Sequence, residues 1–112
     1  MKVVFHLDWD EEKILTMALT NMENLRKARP DARIHFVVNG PAVHFFRLGQ
    51  HEESMARMST LMRSGVTVFL CRNALRAFNI PEDGIVPGCA VVPAGVVALI
   101  ELQQQGCAYI KP

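Results

Sequence analysis

The chain has 112 residues, half of them hydrophobic, a formal net charge of +1 and three cysteines. That length suits one domain, residues 1–112, with one core. A near-neutral charge without a lysine- and arginine-rich run excludes the electrostatic footprint of a nucleic-acid or anionic-membrane binder.

In chain order, "KVVFHLD" (Lys2 to Asp8) is a short apolar run and reads as the first strand. Asp10 is placed to cap a helix, with Glu11 and Glu12 near its positive end. Ile14, Leu15, Ala18, Met22 and Leu25 follow a period near 3.6, and the helix ends before Pro30. "ARIHFVVN" (Ala32 to Asn39) is a second strand, stopped by Gly40-Pro41, with a short helical segment around Ala42 to Leu48. The stretch from His51 to Gly65 is a helix with a stripe of Met55, Met58 and Met62. Gly65 is its C-terminal stop.

"VTVFL" (Val66 to Leu70) is the third strand, and "RNALRAF" opens another helix that ends near Asn79 to Pro81. After a turn-rich segment, "CAVV" (Cys89 to Val92) is a fourth strand. Pro93 fits the first helical position of "PAGVVALIELQQQ". Gly106 ends that helix, and "CAYIK" (Cys107 to Lys111) is the last strand. This alternation predicts an α/β three-layer sandwich, a mainly parallel sheet with helices on both faces.

In such sheets ligands bind beyond the carboxyl ends of the strands. Four segments converge there: Asp8-Trp9, Asn39-Gly40-Pro41, Cys71-Arg72-Asn73 and Pro93-Ala94-Gly95. Cys71 is the one cysteine among them, at a strand-to-helix junction beside Arg72. A helix N-terminus and nearby cations favour the thiolate, the reactive form of cysteine. Position alone leaves two readings open, a working thiol and a strand-end cysteine that only packs. Asp8 is a candidate base or hydrogen-bond acceptor near Cys71 if the first and third strands are neighbours; its other reading is closing the loop before the first helix. "PAG" at Pro93 to Gly95 is a helix start with close backbone approach and a weak anion-binding signal.

Cys89 and Cys107 fall at strand starts, on the opposite edge, and read as structural. The cysteine spacing contains no C-x-x-C pair, and no histidine lies at zinc-finger distance, so neither a metal nor a cofactor is expected. Of the four histidines, His6 and His35 lie inside strands, while His44 and His51 flank Phe45-Phe46. No apolar stretch is long enough to span a bilayer, and "MKVVFHLDWD" lacks a long h-region and a cleavage site. A cytoplasmic protein is expected, with no membrane contact. The hydrophobic surplus predicts a subunit interface, with Phe45, Phe46 and the methionine stripe as contact residues.

"VVFHLD", "VVNGPAV", "LCRNALRAFNI" and "VVPAGVVALIELQQQGCAYIKP" together resemble the DsrE/DsrF-like family, in its small YchN-like branch associated with intracellular sulfur reduction. The resemblance runs over nearly the whole chain and implies homo-oligomers, trimers or hexamers. In sulfur-relay members one cysteine carries sulfur as a persulfide and passes it to a partner protein. Cys71 lies where that cysteine falls; Asn39, Gly40, Arg72, Asn73 and Gly95 line the same pocket. Two functions follow as expectations. The first is a sulfur carrier, sulfurtransferase-like in its chemistry, in which Arg72 helps hold the anion and donor and acceptor proteins meet Cys71. The second is a non-catalytic oligomeric module that binds a small anionic ligand or a partner protein at the same mouth.

Overall fold

Runs of β-branched and aromatic residues form five parallel strands in the order β4-β3-β2-β1-β5. The computed structural model describes residues 1–112. The strands are β1 (Lys2–Leu7), β2 (Arg33–Val38), β3 (Thr67–Cys71), β4 (Ala90–Val92) and β5 (Ala108–Ile110). Between them run α1 (Glu12–Ala28), α2 (Glu52–Arg63), α3 (Arg72–Ala77) and α4 (Gly95–Gln104), with 3-10 turns at Gly40–Phe46 and Glu82–Gly84. Three strands lie between β4 and β5, the two edges of the sheet. No helix is long and apolar enough to cross a membrane.

Side chains alternate between the two faces, as the pleat demands. On one face Phe5, Leu7, Phe36, Val38, Val68 and Leu70 meet α1, α2, α3 and the first 3-10 turn in a cluster of 26 buried residues. On the other, Val4 and Val37 meet Leu99 and Leu102 of α4, with Cys107, in a cluster of 5. That asymmetry matters for the site, because only one helix stands over the thin side. The N–H groups of Val66 and Cys107 close back on the carbonyls of Leu61 and Leu102, ending α2 and α4 as the sequence predicts.

Several boundaries differ from the sequence reading. Asp10 does not cap α1; Glu11 takes that position in extended conformation, and its side chain makes no cap bond. Pro93 does not open α4. It sits in the bend after β4, Ala94 stays extended, and the helix starts at Gly95. Phe45, Phe46, Met55 and Met58 are buried in the chain's own core, which removes them as subunit contacts. Exposed apolar side chains lie elsewhere, clustered on α4 as Val96, Val97 and Ile100 and on β5 as Tyr109 and Ile110, with Met1, Trp9, Met17 and Leu48 exposed singly.

Candidate functional site

Cys71 is the last residue of β3; its Cβ faces the start of α4, and the residue also packs in the cluster of 26 on the other face. In the β2–β3 register Val38 stands beside Leu70. One residue further, Asn39 therefore stands beside Cys71. Above both lies the first residue of α4. A Cβ built on Gly95 would be 2.9 Å from the Asn39 Cβ and 3.3 Å from the Cys71 Cβ. Glycine is needed there for close approach, and that approach brings the start of α4 onto the Cβ atoms of Asn39 and Cys71. Ala94, the residue before the helix, supplies no side-chain cap. The first N–H groups of α4 thus remain donors next to Cys71.

Asn39 is held from its other side. Its Oδ1 lies 2.8 Å from Nε2 of His6, and Nδ1 of the same ring lies 2.6 Å from the Tyr109 hydroxyl. A run of side chains thus crosses the strand ends from β5 through β1 and β2 to β3. His6 is only 9 % exposed, and both its ring nitrogens are partnered. Gly40 keeps the end of β2 close to β1. Its φ is +56°, and a Cβ there would meet the Asp8 carbonyl oxygen at 2.9 Å, so the turn admits little else.

The remaining sequence candidates fall differently. Strand β2 separates β1 from β3, so the adjacency on which a role for Asp8 beside Cys71 depended is absent. The Asp8 carboxylate pairs instead with Lys111, and the ammonium's hydrogen bond and charge hold its pKa below the usual carboxylate range. The guanidinium of Arg72 is committed to Glu82, with Nε donating to Oε2 at 2.7 Å. That contact keeps Arg72 protonated and Glu82 ionised, so the positive charge beside the thiol is already matched. Helix α3 spans six residues, too short for the dipole that the sequence reading gave it. Asn73 lies exposed in its first turn.

Cys71 is 7 % exposed. A groove of about 210 Å³ between β4 and α4, lined by Val92, Pro93, Ala94 and Val97, begins at the residue paired with Cys71 in the ladder. The largest cleft, about 640 Å³, lies at the other end of the sheet around Met62, Val66 and Pro87. Size alone would therefore point away from the thiol. Cys89, just before β4, is surrounded by apolar groups, and burial pushes its pKa up to about 12. Cys107 is buried under α4. His35 stacks on Phe69, its Nδ1 is buried without a partner, and desolvation lowers its pKa. His44 packs edge-on against Phe78, and His51 against Phe45.

Sequence reasoning passed over His6 and Tyr109 as members of the site. The signal for His6 was its parity. It lies two residues before Asp8 on a strand that alternates, and so shares a face with Val4. Tyr109 carried no local signal, since only the pairing of the first strand with the last brings it to His6.

A family model described as the DsrE/DsrF-like family matches residues 2–112. The structure of MTH1491 from Methanobacterium thermoautotrophicum, a protein of unknown function, is 33 % identical, with a TM-score of 0.92 over 99 % of this chain and 98 % of that one. The ychN protein of E. coli superposes with a TM-score of 0.83 at 16 % identity over the whole of both chains. BT1422 of Bacteroides thetaiotaomicron, also of unknown function, gives 0.79 at 18 % identity over 99 % of this chain and 94 % of that one. None of the curated proteins matches.

Proposed function

The chain belongs to the DsrE/DsrF-like family, and on that premise we propose that it is a sulfur carrier whose Cys71 accepts and donates sulfane sulfur as a persulfide. The observation that carries the reading is the close approach at Gly95, which puts an uncapped helix start against the Cys71 side chain. A terminal persulfide sulfur is an anion, and backbone N–H groups at a helix start suit it.

The chemistry is two sulfur exchanges. The Cys71 thiolate attacks the terminal sulfur of a donor persulfide. A sulfur–sulfur bond forms at Cys71 as the donor's own bond breaks, and the donor leaves as a thiolate. An acceptor thiolate then attacks the terminal sulfur on Cys71, and Cys71 departs as the thiolate it was. Oxidation states balance between the partners, so neither step needs an added oxidant or reductant. With 7 % exposure, Cys71 suits sulfur delivered by a docked partner, and the groove beside Val92 and Val97 is the way in.

The carrier works as a homo-oligomer, of the trimeric or hexameric order the family implies. Support comes from α4, which leaves Val96, Val97 and Ile100 about half exposed, at 57 %, 50 % and 49 %. Mass spectrometry after exposure to glutathione persulfide tests the chemistry. The expected product is one added sulfur atom on the wild-type chain and none on Cys71→Ser. A wild-type chain that gains no sulfur overturns the carrier reading.

A further inference from the structure

The bonds from Tyr109 to His6 and from His6 to Asn39 define a direction. The Asn39 oxygen can only accept, so the proton of a neutral His6 sits on Nε2, and Nδ1 accepts from the Tyr109 hydroxyl. With Oδ1 committed to His6 on β1, the amide –NH2 of Asn39 is turned away from β1. Strand β2 lies between β1 and β3, so that side is the one where Cys71 stands.

We propose that Asn39 donates a hydrogen bond from its amide nitrogen to the sulfur carried on Cys71, and that His6 and Tyr109 are positioning residues that hold the amide in that orientation. Without them the amide is free to rotate, and orientations that turn its oxygen towards an anionic sulfur repel it. The Gly95 contact adds a second constraint. Its Cα fits over the Cβ atoms of Asn39 and Cys71, which keeps the two side chains on one side of the helix start. Charged groups around the strand ends are already paired, Asp8 with Lys111 and Arg72 with Glu82, so neutral donors are what remain for the sulfur.

The inference rests on the carrier reading for its cargo, but its geometry is testable on the bare thiolate. The measurement is the pH profile of Cys71 alkylation by iodoacetamide in wild type, Asn39→Ala, Tyr109→Phe and the double variant. Asn39→Ala is expected to move the midpoint up by about one pH unit, a tenfold change in thiolate population. Tyr109→Phe keeps the ring and removes only the hydroxyl; it should move the midpoint in the same direction by less. In the double variant the loss of the hydroxyl should add nothing, because no amide is left to orient. A purely structural role predicts changed melting temperatures with unchanged midpoints, and that result overturns the proposal. Additive shifts overturn the positioning role. Absence of a persulfide on wild-type protein overturns the carrier reading alone, since the alkylation profiles still decide what Asn39 does.

Discussion

Gly95 and Asn39 illustrate how little room the site leaves. Alanine normally improves a helix relative to glycine, by up to about 1 kcal/mol. At Gly95 the added methyl would lie 2.9 Å from the Asn39 Cβ, an atom fixed to backbone that cannot swing aside. Overpacking costs about 1–3 kcal/mol, so Gly95→Ala should lower stability by about 1–2 kcal/mol in urea melts and slow sulfur loading. Arg72→Ala should leave the loading rate nearly unchanged, because Glu82 already holds its charge and solvent screens what is left. Rate measurements on that variant and on Glu82→Gln check this together. If Arg72 served the sulfur, freeing it in Glu82→Gln would speed loading. Cys89 makes a different prediction. Its folded pKa stands at about 12, above the ordinary thiol value, so the folded state keeps a proton that the unfolded chain gives up. Stability is therefore full below about pH 8.5 and falls as pH rises towards 12, by at most about 1.4 kcal/mol per unit. Urea melts across that window should show the fall in wild type and a shallower one in Cys89→Ala.

At the level of elements, β5 is the weakest and the most informative. Its three residues are all exposed, and it is held to β1 by the ladder, by Tyr109 on His6 and by Lys111 on Asp8. The depressed pKa of Asp8 means that the ion pair stabilises the fold above pH 3.8 and loses that effect as pH falls through the lower folded value. Both partners are nearly half exposed, so the contribution is below about 1 kcal/mol. Asp8→Asn should fall slightly behind wild-type stability at pH 6, and the gap should narrow as pH drops below 3.8, as thermal melts would show. Elements of this kind also mark what could be read from sequence. The strands announced themselves through β-branched runs, and α1 and α2 through a clean 3.6-residue stripe. The strand-end placement of Cys71, Asn39 and Gly95 followed from alternation alone. Strand order did not follow. Asp8 looked close to Cys71 only while β1 and β3 were imagined as neighbours, and sequence spacing is silent about which strand lies between. Tyr109 was hidden for the same reason. Met55 and Met58 misled differently, since an apolar face at helical spacing looks the same whether a sheet or a second subunit covers it.

For the whole molecule, the uneven layers set the expectation. Three helices and a 3-10 turn cover one face of the sheet, and α4 alone covers the other, with its outer side apolar. Covering Val96, Val97 and Ile100 in an oligomer would complete that layer. Light scattering should give a trimer or hexamer mass for wild type at micromolar concentration. Ile100→Glu should give a smaller particle with unchanged circular dichroism, because a charge placed in an apolar contact destabilises association and leaves the core intact.

The pairing of the first strand with the last has a consequence for synthesis. The Nδ1 of His6 and the hydroxyl of Tyr109 belong to residues 103 positions apart. Translation proceeds at about 5–20 residues per second, so roughly 2–8 s pass between the addition of Cys71 and that of Tyr109. During that interval the β1 edge is open, with Val3 and Phe5 uncovered on the side where β5 will lie. A nascent chain therefore has its thiol before it has the side chains that orient Asn39, and a product released early keeps a cysteine without its network. The site is complete only once Tyr109 has reached His6.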